Sequence, residues 1–207
     1  MSKPSSRRGQ KRDSPLQPWP LLDSKVLQEF PIYRLRQDTR RSPRTGRAHP
    51  FLVLDSPDWI NVVPVTEHGN IVLIRQFRHG TASFVWEIPG GMVDPEDPTP
   101  EHAARRELLE ETGYAADRFL FLGAVRPNPA IQNNRCHTFL ALDCRPLQPQ
   151  ALEGSEDIEV LEVPGSEIPG LIDSGEIDHA LVLTAFFWYE RFLRGRPAVR
   201  LPPGESV

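Results

Sequence analysis

Residues 90–114, "GGMVDPEDPTPEHAARRELLEETGY", decide how the chain is read, because the two halves of the stretch obey different rules. A glycine pair opens a loop rich in proline and acid, and from Thr99 onward the pattern is helical. Thr99 suits an N-cap, Pro100 the first helical position, and Gly113 the left-handed stop. Ala104 and Leu108 share an inward stripe, while Arg106, Glu107, Glu110 and Glu111 are expected to cover the other side. Like charges three and four apart repel by about a few tenths of a kcal/mol per pair. Such a cluster is either a solvated face, the commoner case for glutamate-rich helices, or a seat for a cation. Hard carboxylate oxygens facing one point suit Mg²⁺ or Mn²⁺, which also bridge phosphates. Arg106 can reach Glu110 at i, i+4 and hold it in place.

Outward from this stretch the periodicity is that of strands. "FPIYRLRQ" (30–37) and "HPFLVLD" (49–55) flank "TRRSPRTGRA", whose Ser-Pro and Thr-Gly pairs predict a hairpin turn. "WINVVPVT" (59–66) and "NIVLIRQF" (70–77) predict a second hairpin across "EHG", and "SFVWEIP" (83–89) is a further strand running into Gly90. After the helix, "RFLFLGAV", "CHTFLALD" and "IEVLEV" are strand-like. "SEIPGLIDSG" suggests a short helix. "DHALVLTAFFWYERFLRG" predicts a long one, with Leu181, Ala185, Trp188 and Phe192 forming a stripe for core or subunit contact. Strands and helices mix without regular βαβ alternation. The expected class is therefore an α+β or layered α/β/α domain with a mixed sheet, with residues from about 20 to 57 as a separate small sheet.

Composition narrows the setting. With 207 residues, 39% hydrophobic and 25% charged, the chain suits one ordinary soluble core with room for a small subdomain. No run approaches a membrane span, and "MSKPSSRRGQKRDSP" lacks the apolar segment of a secretory signal. Cys136 and Cys144 make neither a disulfide framework nor a thiolate metal site, so a reduced, cytoplasmic location is expected. Five basic residues precede the first acidic one, leaving −9 on the remainder against −4 overall. A solvated, disordered arm accounts for them better than a nucleic-acid contact does, and no nucleic-acid partner is expected.

Taken together, these residues resemble the Nudix box, G-x5-E-x7-R-E-U-x-E-E-x-G-U, where U is a bulky apolar residue. Arg106, Glu107, Leu108, Glu110, Glu111, Gly113 and Tyr114 match its right half without a gap. The loop between is one residue longer than the pattern, so the first acid of the box is Asp97 or Glu96, a position that is mainly structural in the family. The resemblance implies a Nudix-type α/β/α sandwich with a mixed sheet, plus a small N-terminal antiparallel β-subdomain. It implies divalent metal, Mg²⁺ or Mn²⁺, on Glu107 and Glu111, with the Gly90 carbonyl as a further ligand. Arg106 and Glu110 are carried over beside them as catalytic groups.

The flanks of the box resemble the ADP-ribose and nucleoside diphosphate sugar pyrophosphatases of that family. In "IRQFRHGTASFVWEIPGG", Arg78 matches an arginine on substrate phosphate and Glu87 a glutamate near the active site. In "SEDIEVLEV", Glu156 matches a loop glutamate that binds metal or acts as general base, with Glu153 as the nearby alternative. Phe30, Tyr33 and Phe51 are candidates to stack on the base. The resemblance also implies a homodimer that exchanges the N-terminal sheets. The expected layout is a disordered basic arm at 1–20, a β-subdomain at 21–57 for dimerisation and base contact, a catalytic domain at 58–197 and a flexible tail at 198–207. The arginines 34, 36, 40, 41, 44 and 47 either reach the nucleotide or form a solvated hairpin, and His137 is expected to be structural rather than catalytic. The expected activity is metal-dependent cleavage of ADP-ribose or a nucleoside diphosphate sugar to a nucleoside monophosphate and a sugar phosphate. The competing readings are a dinucleoside polyphosphate or RNA 5′-end hydrolase, and a metabolite-binding module without turnover.

Overall fold

Period-two alternation and marked turns produce ten strands and three helices in a computed structural model that describes residues 16–198. The expected arm and tail lie outside the described residues, apart from residues 16–20 and Ala198. The chain divides after Leu54 into two compact units.

The first unit is an antiparallel sheet in the order β1 (Leu21–Glu29), β2 (Arg34–Arg41) and β3 (Ala48–Asp55). The hairpin between β2 and β3 closes through Ser42 N–H on Arg47 O (2.8 Å), and Gly46 takes the left-handed φ of +69° that the turn requires. β1 escaped sequence reading: register shifts near Leu21 and Val26 interrupt its alternation. Asp38 is buried and is held by Ser24, Arg36 and Arg40, so two of the six hairpin arginines serve an internal carboxylate. Among the described residues, the buried side chains of this unit are Asp38 and Ser42, both polar, whereas Leu21, Val26, Leu27, Phe30, Ile32, Phe51 and Leu52 are exposed.

The second unit has a seven-stranded mixed sheet. β4 (Trp59–Thr66), β5 (Asn70–Arg78) and β6 (Ser83–Glu87) precede helix α1 (Pro100–Thr112); β7 (Tyr114–Ala115), β8 (Arg118–Val125), β9 (Cys136–Pro146) and β10 (Ile158–Pro164) follow it. The order is β10-β5-β4-β9-β7, with β6 beside β5 and β8 beside β9; β4 runs parallel to β9, while the other pairings are antiparallel. Alternation sorts the strand residues into two cores. Ile60, Val62, Phe139 and Ala141 meet Ala103, Ala104 and Leu108 of α1 on one face. Val63, Val65, Ile71, Leu73 and Leu140 meet Ile168 of α2 (Ile168–Asp173) and Val182, Ala185 and Phe186 of α3 (Ala180–Leu193) on the other. This is the α/β/α sandwich, each face stabilised by burial of apolar surface at about 25 cal/mol per Å².

The stripe expected on α3 is turned by about one position. Val182, Ala185 and Phe186 are buried, Trp188 and Phe192 only partly, and Leu181 is half-buried. Four-residue spacing is shared by neighbouring stripes, and only the sheet's shape chooses between them. The ends of α1 are as its sequence predicts: Thr99 Oγ1 accepts from His102 N–H (3.2 Å), and Gly113, at φ 74°, donates to Leu109 O. Cys136 and Cys144 are buried free thiols. Among the described residues no helix is long and apolar enough to cross a membrane.

Beyond β6 the chain runs along the edge of β4. Val62 N–H donates to Pro89 O and Ile60 N–H to Gly91 O, each at 2.9 Å. This close approach demands glycine, since a Cβ on Gly90 would stand 2.4 Å from Ile60 O. The glycine pair is thereby laid against the glutamate face of α1.

Candidate active site

The face of α1 opposite Leu108 is not simply a solvated one. Glu111 is buried, and its carboxylate accepts from Gly90 N–H at 2.8 Å. Glu107 lies against Gly91 so closely that a Cβ there would come within 2.3 Å of Glu107 Oε1. Only Glu110 on this face is substantially exposed, and Arg106 holds it at 3.0 Å, the expected i, i+4 pair. The helix period placed these side chains together; the glycine strand that covers two of them lies outside any helical pattern.

Arg106 is the hub of the loop before the helix. It donates to Asp97 Oδ2 (2.9 Å), Glu110 (3.0 Å) and Glu107 (3.0 Å), reaches Met92 O and pairs with Asp94. Asp97 also accepts from Asp94 N–H and lies 2.7 Å from His102 Nδ1. Arg106 above all, with His102, holds the Asp97 carboxyl down at about 2. Of the two acids of the elongated loop, Asp97 is the one that pairs with Arg106.

Facing α1 from the sheet is the pair Arg78 and Glu87. Arg78 donates Nε (3.0 Å) and Nη2 (2.5 Å) to the buried Glu87 carboxylate and is itself half-exposed. Gln76 donates to the same carboxylate at 3.1 Å. His179, just before α3, brings Nδ1 to 3.1 Å from Glu87 Oε1, close enough for an ion pair but off the line of a good hydrogen bond. Burial opposes ionisation of Glu87, and His179 and Arg78 more than compensate. Sequence reasoning missed His179, since an isolated histidine at a helix start carries no spacing signal.

On the loop before β10, Glu156 accepts from Glu153 N–H at 2.9 Å. The Glu156 charge is among those that oppose ionisation of both Glu107 and Glu111. Phe30, Tyr33 and Phe51 belong to the separate N-terminal unit, where Phe30 packs at a tilt against Tyr33 (4.9 Å between ring centroids) and Phe51 meets Trp19 edge to face (5.6 Å). His137 is buried with Nε2 at 2.9 Å from Asp58, a structural pairing as expected.

The electrostatics of the carboxylates point to a cation. Burial, reinforced by repulsion from neighbouring glutamates, pushes Glu111 up to about 8 and Glu107 to about 7. Arg106 offsets part of this for Glu107, and the Gly90 N–H part of it for Glu111. One buried and one mostly buried carboxylate that resist ionisation, a third nearby and a glycine cradle form an oxygen donor set that suits a hard divalent cation. Among the described residues no three such side chains already form a cage. The fit is to the open type of site, in which one or two carboxylates are completed by water and phosphate oxygens.

In metal-free protein these glutamates retain protons that unfolded glutamate loses near about 4.3. The native state then holds more protons than the unfolded state between about pH 5 and 8, so stability falls as pH rises through that window. Thermal unfolding in chelator is expected at a higher Tm near pH 6 than near pH 8.5, with Mg²⁺ raising Tm more at the higher pH. A Tm gain that does not vary with pH would remove Glu107 and Glu111 from the cation site.

Clustered helix carboxylates and a half-exposed arginine on an α/β/α unit are groups suited to a phosphate anhydride and its cation. The NUDIX domain family matches residues 57–186, and the chain belongs to that family. It is a Nudix hydrolase, an enzyme acting on pyrophosphate bonds. It is 32% identical over 133 residues to an ADP-ribose pyrophosphatase of Bacillus subtilis, covering 64% of this chain and 71% of that one. It is 29% identical over 142 residues to the ADP compounds hydrolase NudE of Escherichia coli (68% and 74%), and 30% over 168 residues to a GDP-mannose pyrophosphatase of the same species (76% and 87%). A crystal structure of an ADP compounds hydrolase superposes with a TM-score of 0.78 at 21% identity, covering 88% of this chain and 97% of that chain, which establishes the shared fold.

Proposed function

We propose that the chain hydrolyses the pyrophosphate of ADP-ribose or a nucleoside diphosphate sugar, releasing a nucleoside monophosphate and a sugar phosphate, with Mg²⁺ or Mn²⁺ as cofactor. The observation that carries this reading is the seating of Glu111 and Glu107 against the Gly90–Gly91 pair. Glu107 and Glu111, with the Gly90 carbonyl, would hold the cation, which when bound neutralises phosphate charge and polarises the bond to be cleaved. Arg78 spends Nε and Nη2 on Glu87, which aims the guanidinium and leaves Nη1 for a phosphate oxygen. Glu156 takes the proton of the attacking water. Arg106 keeps Glu107 and Glu110 in register while Asp97 anchors it from behind.

The same proposal gives the N-terminal sheet the role of pairing two subunits. Its support is physical: a three-stranded sheet whose buried side chains are both polar and whose apolar residues are exposed needs a cover. Phe30, Tyr33 and Phe51 on that sheet are the proposed contacts for the base.

The test is to incubate the purified protein with Mg²⁺ and ADP-ribose, ADP-glucose, GDP-mannose, UDP-glucose or a diadenosine polyphosphate, with and without chelator. Chelator-sensitive release of monophosphate from sugar nucleotides is expected, from protein whose scattering mass is twice 23.4 kDa. Cleavage of the polyphosphate alone would replace the substrate class. Tight binding without turnover would favour a sensor.

A further inference from the structure

The last carbonyls of a helix have no partner within it. In α1 they are met by the chain that leads into the acidic loop. Gly113 O accepts from Leu147 N–H (2.8 Å) and Gln148 N–H (3.2 Å), and Glu110 O accepts from Ala151 N–H (2.9 Å). Glu111 O accepts from a side chain, Gln150 Nε2, at 2.6 Å. The fit is close: a Cβ on Gly113 would lie 2.1 Å from Gln148 O.

The amide nitrogen of Gln150 also donates to Ile158 O, the first residue of β10, at 3.1 Å. One NH₂ group thus joins the two ends of the segment 151–157 and ties both to the C-terminus of α1. That segment carries Glu156, and α1 carries Glu107 and Glu111. Inside the loop the bonds are local: Glu156 N–H donates to Glu153 O (3.0 Å), and Glu153 N–H donates to Glu156 Oε2 (2.9 Å). These shape the turn but do not attach it to the helix. The attachment falls to Ala151 N–H and to Gln150.

We propose that Gln150 is a positioning residue that cinches the base of the acidic loop and so sets the placement of Glu156 against the glutamates of α1. The inference rests on the reading of Glu156 as general base. Small displacements of a base cost rate because proton transfer requires hydrogen-bond reach to the water. Substrate affinity is set elsewhere, by Arg78 and the cation site, so the effect belongs in kcat and not in KM.

The experiment compares Gln150→Met, which keeps length and volume but removes both donors, with Glu156→Gln and with the double variant, using whichever sugar nucleotide the wild type cleaves. Gln150→Met is expected to lower kcat by about tenfold, in keeping with the loss of one or two hydrogen bonds, with KM within about twofold. Hydrogen exchange should quicken at Ala151 and Glu156 but not in the central strands. In the Glu156→Gln background the second substitution should cost almost nothing, because the two act as one unit. If Glu156→Gln is inactive while Gln150→Met matches wild type, the cinch is overturned and the base assignment stands. If Glu156→Gln is fully active, the base assignment fails first. Equal, additive losses in both backgrounds would make Gln150 merely structural.

Discussion

Glu111→Gln is expected to lower kcat by at least about a hundredfold while the protein stays folded. The two halves of that expectation have separate causes. Glutamine keeps an oxygen that can accept the Gly90 N–H bond, now 2.8 Å, and fills the same buried volume. It loses the charge that makes a hard oxygen ligand, and with it the electrostatic stabilisation a bound cation gives to a phosphate undergoing attack. Removing a carboxylate pushed up to about 8 by burial also relieves repulsion with Glu107 and Glu156. The metal-free variant should therefore melt no lower than wild type at about pH 8, and its response to Mg²⁺ should shrink. Steady-state kinetics and thermal unfolding of the same preparation test both halves. Wild-type kcat would remove Glu111 from the cation site.

Arg106→Met is expected to produce the largest loss of stability of any single change at the site, about 3 kcal/mol, together with loss of activity. Asp97 is 2% exposed and relies first on Arg106 for its ionised state. Methionine fills the space but leaves that carboxylate, Asp94 and Glu107 facing one another without the guanidinium. The asymmetry between making and breaking a buried pair sets the magnitude: the pair contributes modestly, but an orphaned charge is costly. His102 and Asp94 N–H still hold Asp97, which keeps the estimate at the low end of that range. The Tm should fall by roughly 6–12 °C for a chain of this size. The double variant Arg106→Met with Asp97→Leu should recover much of the loss, since the stranded charge is gone. If Arg106→Met melts like wild type, the hub is a surface network and the loop is held by backbone bonds alone.

The two experiments bear on different layers. The first concerns chemistry at the face of α1; the second concerns the loop that brings Gly90 and Gly91 to that face. A variant can lose activity by either route, and only the stability measurement separates them. For Glu111→Gln the expectation is activity lost with Tm retained, and for Arg106→Met both lost together.

How much of this was legible in one dimension follows from the range of each interaction. The ends of α1 are local events: a threonine hydroxyl reaches three residues along, a proline fixes its own φ, a glycine accepts φ 74°. Those signals lie within one turn, so the sequence alone determined where the helix starts and stops and that Glu107, Glu110 and Glu111 share its face. Alternation likewise located nearly every strand, because side-chain period is a property of the strand itself. The exceptions were β1, whose pattern is interrupted by two register shifts, and the two-residue β7, too short to show a period. Together with the box spacing, these were enough for the family and the class of reaction.

What only the tertiary structure decided depends on which distant segments the sheet brings together. Burial of Glu111 follows from the glycine strand lying along β4, and the pairing of Asp97 with Arg106 follows from where that guanidinium points. The charge of Glu156 reaches Glu107 and Glu111, more than forty positions earlier in the chain. His179 meets Glu87, and Gln150 meets Glu111 O and Ile158 O, through contacts that no periodicity encodes. The stripe of α3 needed the shape of the opposing sheet to fix its rotation. Helix caps and strand patterns are written in neighbouring residues; the protonation, aim and restraint of an active-site group are set by whatever packs against it.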